Sequence, residues 1–237
     1  MGETLGQLPT ATKDGYTLVG WFLQGTEYTT ESMAPEAEVT LTARWGVRGY
    51  TDVTEDHWVA PYLANCFDHG MLVQEKTFDP DRATNRAEVV EMLGRGYETR
   101  TGNTIADTEN KFTDVDMTKS YGRYIAWAAA NELAQGTGDS TFGPELAVTR
   151  GQLCLFLYRM ARFVDETTPE EPDRSVLDQF SDASSVIGTD YEAAISWAVG
   201  AGIINGVDGG IRPNVPANRG QVITVISRYL DLPLNAD

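Results

Sequence analysis

Three arginines recur at one place in a repeated pattern and could bind an anion. Arg86, Arg150 and Arg219 each follow an Asn or Thr and stand two residues before a Glu or Gln. This pattern predicts that the arginine is the first residue of a helix, where unpaired backbone N–H groups and the helix dipole favour negative charge. A guanidinium fork there would complete a carboxylate or phosphate site. The alternative is an Arg–Asp pair that ties neighbouring copies together.

Three aspartates open the same pattern. Asp52, Asp114 and Asp182 precede the arginines by 34, 36 and 37 residues. Such carboxylates could accept hydrogen bonds from sugar hydroxyls, or orient the arginine of their own or the neighbouring copy. The polar residues two positions after each arginine can close the helix start and also face a ligand. These further candidates are Glu88, Gln152 and Gln221.

Two tryptophans could form stacking platforms for sugar rings. Trp127 and Trp197 follow an isoleucine of the buried stripe by two positions, which places them about 200° around the helix from that stripe. We therefore expect them off the core face, where an aromatic ring can bind a sugar; packing against an adjacent copy is the alternative. Copy one has Asn65 at this position, so its platform is missing unless Trp58 or Tyr62 substitutes. We expect the grooves with Trp127 and Trp197 to bind better.

Other chemistries have little support in the residue pattern. The cysteines and histidines lack metal-ligand or catalytic spacing, and buried free thiols are expected; these residues are Cys66, Cys154, His57 and His69. A glycosidase needs two carboxylates across a cleft, but caps and turns explain the recurrent ones. We expect no enzyme activity, no metal site and no cofactor. Calcium dependence stays open, because residues 52–56 only loosely imitate a calcium loop.

Composition excludes some partners. The 237 residues include 18 Lys and Arg and 35 Asp and Glu, which gives a net charge of -17. A nucleic-acid binder needs a basic face, so nucleic acid is not an expected partner. There is no run of eighteen apolar residues and no signal-like start, so no membrane span is expected. We expect a fragment of a longer protein with its targeting signal and effector domain upstream.

The elements that position these residues form three copies of one unit. Each copy opens with an aromatic residue, continues with a first helix and a turn, and ends with a second helix that begins at a capping box. The cap residues are Asn85, Thr149 and Asn218, and Glu132 replaces the turn glycine in copy two. Helices this short cannot bury an apolar face alone, so the copies must pack on one another.

Two segments lie outside the helical copies. The first 46 residues contain two β-like runs, 16–22 and 39–45, and two strands are seldom stable alone. We therefore expect another strand to be missing from this sequence or supplied by something else. The acidic, proline-bearing segment 165–173 reads as a solvated linker between copies two and three.

The repeat resembles the S-layer homology domain through four motifs that recur in order: aromatic-x-Asp-Val, a helix ending in Gly-Ile, Gly-x-Phe-x-Pro and Thr-Arg-Ala-Glu. Copies are expected at 48–105, 110–168 and 178–237. The resemblance implies a mainly α fold, with three copies in a pseudo-threefold prism whose grooves bind secondary cell-wall polysaccharide, often through a pyruvylated sugar. The family's Thr is Asn85 and Asn218 in two copies, and its Glu is Gln152 and Gln221 in two. These changes keep the cap.

Residues 1–46 resemble the end of an internalin-type (Listeria–Bacteroides) repeat, through 13–21 and 40–45, which implies a β-grasp-like spacer or adhesion module. Together the two resemblances imply an extracellular, non-covalent anchor on the bacterial cell wall or S-layer. The alternatives are a structural module that assembles with itself, or part of a glycan-processing enzyme.

Overall fold

The computed structural model describes residues 3–232, so the end of the third predicted copy, 233–237, lies outside the described residues. The chain forms strands β1 (Tyr16–Leu23), β2 (Thr26–Tyr28) and β3 (Thr42–Val47), then helices α1 (Ala60–Asp68), α2 (Arg86–Thr101), α3 (Ser120–Ala130), α4 (Arg150–Val164), α5 (Glu192–Gly200) and α6 (Arg219–Leu230). Short 3₁₀ helices at Arg174–Gln179 and Ala183–Ser185 precede α5. Helices account for 35% of the residues.

The N-terminal module is an antiparallel sheet in the order β2-β1-β3. Trp21 pairs with Tyr28 on one side and with Ala43 on the other. The third strand therefore comes from this chain, through the short segment Thr26–Tyr28 that the sequence pattern did not reveal. The second predicted strand begins at Thr42 rather than at residue 39.

The sheet continues directly into copy one. The backbone N–H of Val47 donates to the carbonyl of Val53 at 2.9 Å, beside the opening Asp of that copy. Arg48 donates two hydrogen bonds to Asp68 at the end of α1, at 2.8 and 2.7 Å. Bidentate pairs of this kind fix geometry, so the β module and copy one are joined by more than a flexible linker.

The predicted capping boxes start all three second helices. The Asn85 side chain accepts from the backbone N–H of Glu88 at 2.9 Å, and Glu88 accepts in return from the N–H of Asn85 at 3.0 Å. The Thr149–Gln152 and Asn218–Gln221 pairs make the same reciprocal bonds. Each pair satisfies two donors that helix geometry leaves free, so each signature arginine (Arg86, Arg150, Arg219) is the first helical residue.

The turn after each first helix requires a left-handed residue. Gly70 and Gly202 supply it with φ of 68° and 70°. Glu132 adopts the same conformation with φ of 58°, although a side chain there costs about 1–2 kcal/mol. Copy two therefore makes the same left-handed turn without a glycine.

The three copies contact one another in a cycle. Helix α2 packs on α3, α4 on α5, and α6 returns to α1. Three buried residues just before the second helices join their backbones in a closed triangle. Thr84 N–H donates to Ala217 O at 3.1 Å, Ala217 N–H to Val148 O at 2.9 Å, and Val148 N–H to Thr84 O at 2.8 Å. Within residues 3–232, no helix has the length and apolar character to cross a membrane.

Candidate functional site

Arg86 is buried against the loop of copy two rather than offered to a ligand. Its Nε donates to the carbonyl of Phe142 at 3.1 Å and its Nη2 to the carbonyl of Gln135 at 2.7 Å. The guanidinium lies 4.6 Å from the Phe142 ring centroid and 5.2 Å from that of Phe156. Only 3% of Arg86 is exposed. The expectation that this guanidinium faces a groove is wrong, because the side chain is buried and the neighbouring loop's carbonyls accept from its Nε and Nη2.

Arg219 makes the equivalent contact with copy one and is 7% exposed. Its Nη1 donates to the carbonyl of Phe78 at 2.9 Å, and Nη2 approaches Glu75 at 3.2 Å. Glu75 is half-exposed, so this ion pair neutralises the arginine at the edge of a cleft. Copy-to-copy tethering, the alternative reading of the sequence, describes Arg86 and Arg219 better than a free anion site does.

Arg150 differs from the other two signature arginines. Its Nε donates to the carbonyl of Ile211 at 2.8 Å, which is the same loop contact in copy three. Its terminal Nη atoms have no hydrogen bond or ion pair within residues 3–232. Burial lowers the pKa of the guanidinium, but arginine stays charged in proteins. Arg150 is therefore a half-buried cation with free donors.

The opening aspartates (Asp52, Asp114, Asp182) clamp the loop of their own copy. Each carboxylate accepts two consecutive backbone N–H groups at 2.7–2.8 Å, one per oxygen. The donors are Phe78 and Asp79, Phe142 and Gly143, and Ile211 and Arg212. The direct Asp–Arg contact allowed by the sequence does not form: each aspartate instead holds the loop whose carbonyl accepts from a neighbouring copy's arginine.

These clamps also shift the pKa values of the carboxylates. Desolvation acts to raise the pKa of Asp114 and Asp182, but the paired backbone N–H donors outweigh it and hold each pKa below its ordinary value. Both groups are therefore ionised at neutral pH. Within residues 3–232, no cluster of His, Cys, Asp and Glu has an arrangement suited to a metal ion.

Trp127 and Trp197 are buried, with 5% and 8% exposure, so the expectation of outward-facing platforms is wrong. The Trp127 ring lies 5.0 Å from Tyr97 of copy one and 5.7 Å from Phe163. Trp197 lies 5.6 Å from Tyr158 of copy two. The side of the helix away from its own core packs on the preceding copy, which was the alternative reading.

An exposed tryptophan lies elsewhere, in a cleft to which all three copies contribute. Trp58 of copy one is 52% exposed, and its ring lies over Gly220, where a Cβ would approach it to 2.9 Å. The cleft, of about 150 Å³, is named the Trp58 cleft. Its walls are Trp58, Arg150, Ile204, Asn205, Gly206, Gln221, Thr224, Val225 and Arg228.

A related cleft of about 190 Å³ has the opposite character and is named the acidic cleft. Its carboxylates are each paired: Glu75 with Arg219, Glu88 with Arg82 and Glu91 with Arg95. Its remaining walls include Met71, Leu72, Val73, Met92 and Ser120. The equivalent positions in different copies thus build chemically different clefts.

Two features of these clefts escaped sequence reasoning. The sequence predicts Trp58 only as a substitute platform, because it precedes the first helix and the other copies have Ser120 and Gly188 at this position. A second recurrent arginine, nine residues after each signature arginine, is not among the predicted site residues; these are Arg95, Arg159 and Arg228. Their regular spacing was the signal that could have revealed them.

Comparison with known proteins matches the three copies to one family. The model of the S-layer homology domain matches residues 49–90, 111–154 and 179–223, which together cover more than half of the chain. No curated protein matches the chain.

Proposed function

The chain belongs to the S-layer homology family, whose domains are cell-wall anchoring modules, and from this premise we propose that it binds secondary cell-wall polysaccharide in the Trp58 cleft. The polymer lies with one sugar ring against Trp58. An acidic substituent, such as a pyruvyl carboxylate, meets the free Nη donors of Arg150. The role is binding, and no catalytic step is part of it.

The observation that carries this proposal is that Trp58 and Arg150 line the same cleft. A half-exposed indole contributes apolar area at low entropic cost, and sugar rings present C–H faces that pack against it. Folding has already removed part of the water around the Arg150 guanidinium. An incoming carboxylate can therefore form a charge-assisted hydrogen bond without that desolvation cost. Gln221 and Asn205 border the same cleft and supply amides for hydroxyl groups.

The arrangement of the three copies and the role of the β module are part of the same proposal. The cyclic packing of the helices and the backbone triangle at Thr84, Val148 and Ala217 support a pseudo-threefold prism. Arg86 and Arg219, together with the opening aspartates, then hold the loops that shape the clefts. The β module acts as an internalin-type spacer at the surface, held against copy one by Arg48 and Asp68.

The test is retention on isolated cell-wall sacculi. We expect sacculi with intact glycopolymer to retain the protein and acid-stripped sacculi to release it. Trp58→Ala should weaken binding roughly tenfold, because a stacked ring is worth about 1 kcal/mol or more. Arg150→Ala should weaken it by about tenfold or more, since a bond to a charged group is worth about 1.5–3 kcal/mol.

Matched controls separate the site from general surface effects. Tyr16→Ala removes an exposed aromatic from the β module, and Arg174→Ala removes an exposed arginine; both should bind like the unmodified chain. Equal retention by intact and stripped sacculi would count against glycan recognition. Concentration-dependent assembly without any retention would favour the self-assembling module.

A further inference from the structure

The wall of the Trp58 cleft contains an asparagine that is followed directly by a glycine, Asn205-Gly206. No other asparagine in the sequence precedes a glycine. Because glycine has no side chain to shield its backbone nitrogen, that nitrogen can attack the side-chain amide of the preceding asparagine. Asn-Gly is therefore the pair in this sequence with the chemistry for spontaneous deamidation, and it lies in a cleft rather than in a helix.

The local structure leaves both reacting groups free. Asn205 is exposed and belongs to no helix or strand. Within residues 3–232, neither its side chain nor the backbone N–H of Gly206 has a hydrogen-bond partner. Other asparagines are held: Asn65 donates to Ser227 at 2.8 Å, and Asn131 donates to the carbonyl of Trp127 at 2.9 Å. Attack at Asn205 therefore requires no hydrogen bond of the fold to break.

The fold also requires the glycine that makes this pair reactive. Gly206 has φ of 73°, and a Cβ at this position would approach the Phe180 ring to 2.6 Å and the carbonyl oxygen of Gly210 to 2.9 Å. A larger residue that would shield the backbone nitrogen is therefore strained and crowded there.

The other two copies lack the reactive pair at this position. Copy two has Gln135-Gly136 and copy one has Val73-Gln74. The glutamine side chain is one methylene longer, so its cyclisation closes a larger ring and is slower. Copy two thus provides a natural control, since the same glycine follows an amide that resists the reaction.

We propose that Asn205 is a site of spontaneous deamidation, and that the carboxylate formed there weakens the binding of an acidic ligand in the Trp58 cleft. The backbone nitrogen of Gly206 bonds to Cγ of Asn205. The side-chain nitrogen leaves as ammonia and takes the proton of the Gly206 N–H. Water then opens the cyclic imide at either carbonyl, which gives aspartate or isoaspartate, and no oxidant or reductant takes part.

The new carboxylate would change the charge of the cleft. Its walls include Arg150 and Arg228, and no carboxylate is among them. A negative charge at residue 205 has the same sign as the acidic substituent of the ligand and opposes its approach to Arg150. Isoaspartate also lengthens the backbone ahead of Ile211, whose carbonyl accepts from Arg150 at 2.8 Å. The effect on binding rests on the proposed function, whereas the reaction at Asn205 does not.

Peptide mass spectrometry after incubation of the full chain in mildly alkaline buffer tests the reaction. We expect Asn205 to convert from amide to acid, with both aspartate and isoaspartate formed, while Gln135 and Asn131 stay intact. The chain unfolded in urea gives the rate without the fold, and the folded chain should approach it at Asn205 alone. Full protection of Asn205 in the folded chain would overturn the site. Asn205→Gln should abolish the conversion.

Retention on sacculi and NMR test the consequence. Asn205→Asp should bind intact sacculi roughly tenfold more weakly than Asn205→Gln, as for loss of a charge-assisted bond. It should also shift the Arg150 Nε resonance relative to Asn205→Gln. Gln135→Asn creates a second Asn-Gly pair outside the Trp58 cleft, and its conversion should not reduce retention.

The two readouts separate the inference from the anchoring function. Equal retention of Asn205→Asp and Asn205→Gln on sacculi that hold the fresh chain would overturn the inhibitory carboxylate. If the fresh chain is not retained at all, the anchoring function alone fails. Peptide mapping then still decides the reaction, and an unchanged Arg150 resonance in Asn205→Asp would overturn its effect on the cleft.

Discussion

At the residue scale, the signature arginine contacts a neighbouring copy in all three repeats, and in one repeat it also has free donors. All three signature arginines reach the loop of a neighbouring copy, but the remaining donors differ. Arg86 donates a second hydrogen bond, from Nη2 to the carbonyl of Gln135, and Arg219 pairs with Glu75, whereas the Nη atoms of Arg150 have no partner within residues 3–232. The common contact stabilises the assembly of copies, and the free donors of Arg150 are the ones that we propose a ligand meets.

This difference predicts unequal losses of stability on mutation. Arg219→Ala should lower the free energy of unfolding by about 2–4 kcal/mol, because it removes both the donor to the carbonyl of Phe78 and the ion pair with Glu75. Arg150→Ala should cost about 1–2 kcal/mol and chiefly weaken wall binding. Urea unfolding and sacculus retention measure the two effects. Equal stability losses in both variants would contradict the distinction.

The clamp at Asp182 predicts a pH-dependent contribution to stability. Backbone N–H donors hold its pKa below the ordinary value against the opposing effect of desolvation. The stabilisation is therefore complete above the unfolded pKa of about 4 and is lost as pH falls through the folded pKa. Asp182→Asn should cost about 1–2 kcal/mol at pH 7, and the gap to the unmodified chain should shrink below about pH 4 in urea titrations. A gap independent of pH would contradict the charged clamp.

The sequence predicts where Arg150 and Gln221 lie in their helices better than it predicts their contacts with other copies. Capping chemistry is local, so it placed Arg150 at the start of a helix and Gln221 in a cap. The acceptor of Arg150, the carbonyl of Ile211, lies 61 residues away and belongs to another copy. Contacts of this kind depend on how copies dock, which periodicity within one helix does not encode.

At the element scale, the first helices have two buried faces rather than one. The predicted stripe is buried in the hydrophobic core, and the opposite side packs on the preceding copy. Trp127 and Trp197 occupy that opposite side with aromatic contacts. Asn65 takes the same place in α1 and donates to Ser227 of α6 at 2.8 Å and to Asp231, just after α6, at 3.1 Å. A helical wheel for one isolated amphipathic helix assigns that side to solvent. This is why the sequence predicts exposed tryptophans where the structure buries them.

The β module shows a different limit of sequence reasoning. Strands β1 and β3 carry the β-branched and aromatic residues that favour extended chain, and both were recognised. Strand β2 has three residues, too few for an alternating pattern. Its pairing with β1 is set by the turn at Gln24 and Gly25, both with positive φ. The signal that could have predicted β2 therefore lies in the turn residues rather than in the strand.

At the scale of the whole molecule, the cyclic contacts make the copies interdependent. An open array would leave the face of α1 without a partner, but α6 returns to cover it. The linker at 165–173 is also fastened, since Tyr158 donates to the carbonyls of Pro169 and Glu170 at 2.7 and 2.9 Å. Repeat arrays with open ends can fray from one terminus, whereas closure joins the first and last copies.

Closure predicts a single unfolding unit for the three copies, which native-state hydrogen exchange can measure. The amides of Thr84, Val148 and Ala217 donate to one another's copies, so each should exchange only when the whole assembly opens. Leu153→Ala, a buried change in copy two, should cost about 2–4 kcal/mol and should reduce the protection of all three amides equally. Loss of protection at Val148 alone would mean that copy two opens independently, and would contradict cyclic cooperativity.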